Sequence, residues 1–193
     1  MMNDNAQSVD VVAAAVQHGK SASDSIKGGG VFKIECFDKD GNLKWESESH
    51  NLVVNVGLQD MNTQYFKGAS YTAAWYIGVY GAAASNNPAA GDTAASHAGW
   101  TEVTTYSNAT RPAATFGTAT TASPSVISNS ASPASFNING TATIGGAFLI
   151  SNSTKGGTTG ILFSAADFQT PGDRNVSNGD TLNVTYTFNL TAV

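Results

Sequence analysis

Asp92, Ser96 and His97 fall in one short stretch, Asp92-Thr93-Ala94-Ala95-Ser96-His97. A carboxylate, a hydroxyl and an imidazole are the three side chains of a nucleophilic hydrolase. In such an enzyme the imidazole takes the hydroxyl proton and the carboxylate orients the ring, so geometry defines the triad, not closeness in sequence. Serine is abundant along the whole chain, and its presence beside a histidine therefore carries little weight. His97 reads as a hydrogen-bonding loop residue. His18 and His50 stand far from it, and no pair of histidines has the spacing of a zinc-binding helix. Cys36 is the single cysteine, which excludes a cysteine metal cage and an intrachain disulfide. Its place in an apolar alternation reads as a buried free thiol.

The remaining candidate chemistry is sparse. Glycoside hydrolysis needs two carboxyl groups facing each other across a cleft. The acidic residues beyond position 103 are Asp167, Asp173 and Asp180, each beside a Gly, Pro or Ala, and turn formation is the simpler role for them. The glycine runs at 28–30 and 156–160 lack the strand, helix and lysine of a phosphate loop. Trp75, Trp100 and Tyr106 could line a sugar-stacking patch, but such rings in a β protein more often belong to the core. No catalytic residue, no cofactor site and no metal site is expected.

Composition narrows the class of function further. Only 12% of the 193 residues are charged, about half the usual fraction for a soluble domain. Ser, Thr, Ala, Gly and Asn together supply about 55%. Nine basic residues against fourteen acidic ones give a net charge of −5. Nucleic-acid binding depends on phosphate neutralisation by Lys and Arg, and only Arg111, Lys155 and Arg174 follow Lys67. Neither a nucleic-acid groove nor a polybasic membrane patch is expected on this basis. No apolar run approaches the length of a membrane span, and the first nineteen residues lack the basic start of a secretory signal. A surface solvated by hydroxyls and amides, on a chain with no export signal, suits a virion protein made in a host cytoplasm.

The elements that would position these residues fall into three zones. Residues 1–30 read as an arm. Ser8 caps a short helix with the apolar stripe Val9, Val12 and Val16, Gly19 ends it, and Gly28–Gly30 reads as a flexible joint. A helix that short is marginal alone, so it docks either on its own domain or on a partner. Residues 31–193 read as one domain. Phe32, Ile34 and Cys36 alternate with Lys33 and Glu35, residues 38–42 have turn chemistry, and Leu43 and Trp45 begin a return strand. Asn55 is placed to cap a helix whose buried stripe is Leu58, Met61 and Tyr65, with Lys67 and Gly68 at its exit. Residues 74–80 read as a buried strand. Beyond position 81 strand patterns recur at 101–106, 115–121, 135–138, 141–150, 160–163 and 181–190. The last is the clearest: Leu182, Val184, Tyr186, Phe188 and Leu190 point one way, Asn183, Thr185, Thr187 and Asn189 the other. The fold class expected is mainly β, an antiparallel β-sandwich or jelly-roll-like domain with one inserted helix and an N-terminal helical arm.

One further pattern spans residues 31–190. It comprises Phe32-Lys-Ile-Glu-Cys-Phe-Asp-Lys-Asp-Gly-Asn-Leu-Lys-Trp-Glu, Asn51-Leu-Val-Val-Asn-Val-Gly-Leu58, Trp75-Tyr-Ile-Gly78, and Asp92-Thr93 with His97-Ala-Gly-Trp-Thr-Glu102. Tyr106, Arg111, Ile144-Gly-Gly-Ala-Phe148 and Gly179-Asp-Thr-Leu182 complete it. The pattern resembles a family of small structural proteins of tailed bacteriophages encoded among the head genes, some of them head decoration (cement) proteins. The resemblance implies a β-rich, non-enzymatic virion protein. The reading that follows is a homotrimer on the outer capsid surface, with the major capsid protein as partner and Val9, Val12 and Val16 as the contact arm. The alternative is a tail, baseplate or fibre component with a glycan-binding tip.

Overall fold

The structure, a computed structural model, describes residues 25–68, 74–82, 88–168 and 172–193. The arm helix and its Val9, Val12 and Val16 stripe lie outside the described residues. Among the described residues the architecture is mainly β, twelve strands and one helix, with every strand pairing antiparallel.

Strand β1 (Ile26–Phe37) pairs along its whole length with β12 (Thr181–Ala192), from Ile26 opposite Ala192 to Phe37 opposite Thr181. This register sets Phe32, Ile34 and Cys36 beside Tyr186, Val184 and Leu182 on one face, as the period-two pattern of both segments requires. All six are buried. On the other side of β1 runs β2 (Leu43–His50). The far edge of β12 is shared by β7 (Ala134–Asn137) over Thr181–Val184 and β6 (Ser125–Ser128) over Thr187–Leu190. Buried Asn129 fills the gap between those two partners. Its Oδ1 accepts the Tyr186 N–H at 2.6 Å and its Nδ2 donates to the Val184 carbonyl at 3.2 Å, so the ladder is closed without a strand.

The reading of Gly28–Gly30 as a joint is corrected here. All three lie inside β1, opposite Leu190, Asn189 and Phe188. Ladder bonds need backbone only, so a run without side chains can be strand when a long partner holds it. Gly30 has a packing reason as well. A Cβ there would stand 2.8 Å from the Tyr186 hydroxyl and 2.9 Å from the Thr187 carbonyl oxygen. β1 therefore takes in all three glycines, and just before it Ser25 exchanges backbone hydrogen bonds with Val193.

A second sheet has the order β3 (Leu52–Val53), β10 (Leu162–Asp167), β9 (Gly146–Ile150), β4 (Tyr76–Ala82) and β5 (Trp100–Glu102). A short ribbon joins β8 (Ala142–Ile144) to β11 (Arg174–Val176). Segment 115–121, read as strand-like, is not a strand; it precedes β6 in the chain and runs beside it as a loop, with hydrogen bonds from the Gly117 N–H to Ser128 and from the Thr120 N–H to Val126. Ile77, Val79, Ala147, Leu149 and Ala166 of the second sheet share one hydrophobic cluster with the Phe32–Tyr186 face of the first. Tyr80, Trp100, Phe148, Ile150 and Leu162 form a second cluster on the opposite face, closed by Val54 and Ala94. β9 is thus buried on both sides, which is why its sequence is a continuous apolar run without alternation. The close approach of Phe148 to β4 requires Gly78, where a Cβ would lie only 2.1 Å from the ring.

Helix α1 (Asn55–Lys67) departs from its expected phase. Its cap is Val54, with no side-chain cap bond; the buried Val54 carbonyl accepts the Leu58 N–H, and Asn55 N–H goes to Ala90. The buried helical residue is Gly57, whose missing Cβ lets the helix sit against the Phe163 backbone, 2.4 Å from where that carbon would be. That contact turns Met61 onto the core and leaves Leu58 and Tyr65 outside. The exit is as expected, with Lys67 in the last turn and Gly68 left-handed at φ 60°.

Candidate functional site

Asp92, Ser96 and His97 do lie together, but they are not joined as a triad. Buried Asp92 accepts the Trp100 indole N–H and the Ala89 N–H through the same Oδ2, each at 3.0 Å. His97 Nδ1 lies 2.9 Å from the Trp100 carbonyl oxygen. A carbonyl can only accept, so Nδ1 carries the hydrogen and donates. The His97 ring also stacks on the Trp100 indole, 3.9 Å between centroids. Ser96 closes a local turn with Thr93, each N–H bonding to the other residue. Carboxylate and imidazole both orient Trp100, which packs against Tyr80 and Phe148 at 5.0 and 5.1 Å. Their chemistry here is to fasten the 89–100 loop over the outer face of the second sheet.

Beside that loop lies an ion-pair latch. Arg111, 2% exposed, donates from Nε to Glu102 Oε1 at 2.9 Å and from Nη2 to Oε2 at 2.7 Å. Its Nη1 reaches the Asn152 carbonyl at 2.9 Å and its Nη2 the Gly157 carbonyl at 2.8 Å. Glu102 Oε2 accepts the Gly156 N–H as well. Lys155, in the same loop, donates to the carbonyls of Tyr106 and Asn108 and sits 4.4 Å above the Tyr106 ring. The Asn152–Gly157 loop is therefore tied to β5 and to the 106–111 segment by two cations, a cross-link made without a disulfide. Nothing in local periodicity marks this latch. The available signal was scarcity: in a stretch this poor in charge, a lone Arg and a nearby Glu have few other partners.

The other candidates separate by role. Cys36 is fully buried, with Sγ 3.9 Å from Asp180 Oδ2. Burial first, then the Asp180 charge, pushes its thiol up to about 11, consistent with an inert structural thiol. Asp180 closes the turn after β11 by accepting the Ser177 N–H at 2.8 Å, and it pairs with Lys44 at 2.5 Å. Asp167 differs from a turn residue: it ends β10 and accepts the Tyr80 hydroxyl at 3.3 Å. Burial chiefly holds its carboxyl above the usual range, and the negative charge of Asp173 adds to this. Trp100 and Tyr106 are buried and Trp75 is half-buried, so the sugar-stacking patch read from these three rings does not form on the surface. Among the described residues no group of three metal-ligating side chains occurs, and no helix is long and apolar enough to cross a membrane.

On helix α1 the fold presents an apolar patch outward. Tyr65 and Phe66 are 82% and 77% exposed at the end of α1, packed edge to face at 5.0 Å, and Leu58 is half exposed on the same helix. Sequence reasoning missed this surface because it assigned Leu58 and Tyr65 to the core. Comparison of the chain with protein-family models, with curated proteins and with solved structures finds no match.

Proposed function

We propose that this protein is a non-enzymatic bacteriophage structural protein that binds the outside of the assembled capsid and stabilises it as a decoration protein. In this reading the two sheets form a β-sandwich of jelly-roll type, and three copies form a homotrimer over a junction between capsomers. The observation that carries the proposal is the exposed Tyr65–Phe66 pair with Leu58, on a domain whose own cores are closed. Large aromatic side chains left in water beside a filled core mark a contact surface. The low charge of the chain supports broad, uncharged protein–protein contact, and the candidate catalytic side chains are engaged in packing Trp100.

The mechanism is linkage. A protein that binds the assembled lattice and not its separated subunits stabilises the lattice by mass action. Three weak contacts on one trimer act together, so no single contact needs high affinity. The arm, with Val9, Val12 and Val16, adds a second contact in this scheme. The test replaces Tyr65 and Phe66 with serine and measures co-sedimentation with purified heads. Loss of two aromatic anchors at about 1–2 kcal/mol each weakens binding at least tenfold, with circular dichroism and unfolding unchanged. Undiminished binding of the double variant would contradict the assignment of this surface.

A further inference from the structure

The chain holds two Asn-Gly pairs, Asn139-Gly140 and Asn178-Gly179, and the fold brings them side by side. Ile138, next to the first pair, donates its N–H to the Asp180 carbonyl and accepts the Gly179 N–H, each at 2.9 Å. Asn139 and Asn178 are both exposed, so water reaches the two alike. Their backbones differ. In the second pair the Gly179 N–H is held by Ile138, and the turn around it is closed twice more. The Asp180 N–H donates to the Ser177 carbonyl at 3.0 Å, and the Ser177 N–H donates to the Asp180 carboxylate at 2.8 Å. In the first pair neither the Gly140 N–H nor the Asn139 side-chain amide bonds to any described residue.

That difference bears on one reaction. The side-chain amide of an asparagine is open to attack by the backbone nitrogen of the next residue. The Gly140 nitrogen gives its proton to hydroxide and attacks Cγ of Asn139. A new C–N bond closes a five-membered imide, the bond from Cγ to Nδ2 breaks, and ammonia leaves with a proton taken from water. Water then opens the imide. Cleavage at Cγ gives aspartate, and cleavage at the backbone carbonyl gives isoaspartate. The balance is amide plus water to acid plus ammonia, with no oxidant. Glycine favours the step because it has no Cβ to shield the nitrogen and its backbone turns freely. A nitrogen whose hydrogen is already bonded must first break that bond. At Gly179 this would leave the carbonyl of Ile138, a buried residue, without its donor.

We propose that Asn139 is a site of spontaneous modification, converting to aspartate and isoaspartate in the folded protein, while Asn178 is protected by the bond from Gly179 to Ile138. Either product adds one negative charge to a chain of net charge −5. Isoaspartate also adds a carbon to the backbone between β7 and β8. Folded copies therefore diverge with age at one position of a surface that is otherwise poor in charge. The site shares no residue with the Tyr65–Phe66 surface, so it stands or falls apart from capsid binding.

The experiment incubates the full chain in mildly alkaline buffer, folded or unfolded in urea, and follows both sites by tryptic peptide mapping. Cleavage after Lys155 and Arg174 places Asn139 and Asn178 in different peptides, and fragmentation separates isoaspartate from aspartate. In the folded chain Asn139 should convert about fivefold faster than Asn178, the factor expected for one protecting hydrogen bond of ordinary strength. In urea that bond is gone, and the two rates should converge to within about twofold. Asn139→Gln, at an exposed position, should leave the unfolding midpoint unchanged and remove the acidic species that grows with time in native ion exchange. Conversion of Asn178 as fast as Asn139 in the folded chain would overturn the proposal. So would no conversion of Asn139 in the folded chain while the unfolded chain converts, or acidification that Asn139→Gln leaves intact.

Discussion

Arg111→Met is the most informative single change to the fold. The guanidinium is 2% exposed and its partner carboxylate 8% exposed, so solvent screens neither charge appreciably. The substitution keeps an unbranched apolar side chain but removes the guanidinium from over the Phe148 ring, both bonds to Glu102 and those to the carbonyls of Asn152 and Gly157. Glu102 is left with the Gly156 N–H and the neighbouring Tyr106 hydroxyl, and with no cation. Removing one partner of a buried pair costs about 3–5 kcal/mol, most of it from the stranded charge. For a domain of this size each kcal/mol moves the melting temperature by about 2–4 °C, so a fall of about 6–20 °C is expected. Urea unfolding followed by tryptophan fluorescence gives the free energy directly, provided the transition is two-state. The double variant Arg111→Met, Glu102→Leu removes the stranded charge and should recover at least half of the loss. A single variant losing less than about 1 kcal/mol, or a double variant no more stable than the single, would refute this account of the latch.

Four other outcomes follow from the geometry. Gly78→Ala forces a methyl against Phe148, whose ring is held by Trp100 and Arg111; overpacking should cost about 1–3 kcal/mol in urea unfolding. Cys36, with its thiol raised to about 11, should stay unreactive to a thiol reagent in the native protein at neutral pH and react fully in denaturant. Asp38 accepts the backbone N–H and the side-chain amide of Asn42 and the Asp40 N–H, which hold its carboxyl below the ordinary range. Its contribution is therefore complete above the unfolded-chain value of about 3.9 and is lost as pH falls through the lower folded value, and its NMR titration midpoint should lie below that of an unfolded peptide. Deleting residues 1–24 leaves β1, its pairing with β12 and the Ser25–Val193 hydrogen bonds intact, so the domain should unfold as before while its retention on capsids falls in a pelleting assay.

Local pattern carried the mainly β class, and it did so where one face of a strand is solvated. β12 and the first half of the β1–β2 hairpin alternate cleanly because only one side of their sheet is covered. The second sheet is covered on both sides, so β9 shows no alternation and β10 contains a bulge between Leu162 and Ser164 that breaks the phase. Gly28–Gly30 looked flexible because glycine gives no side-chain signal; a twelve-residue register with β12 decided otherwise. The α1 stripe failed for a related reason. The periodic apolar residues were counted, but the contact is made by Gly57, through the absence of a side chain. At the candidate site the Asp92–His97 stretch was legible as a loop, whereas its object, Trp100, was not, since the bonds run to an indole and a carbonyl that local spacing does not reveal. The Glu102–Arg111 latch depends on three chain segments meeting in space, with bonds from Arg111 to carbonyls more than forty residues away, and such contacts are visible only once the fold is in place.

The central claim, a protein that decorates an assembled head, is tested most directly by its copy number on purified particles. Quantitative mass spectrometry against the major capsid protein should give a stoichiometry in keeping with lattice symmetry, on the order of hundreds of copies. Added to stripped heads, the full chain should rebind saturably to that same number and ignore unassembled capsid subunits, as lattice linkage requires. A count of six or twelve copies per particle would place the protein in the tail, and no particle association at all would remove it from the virion.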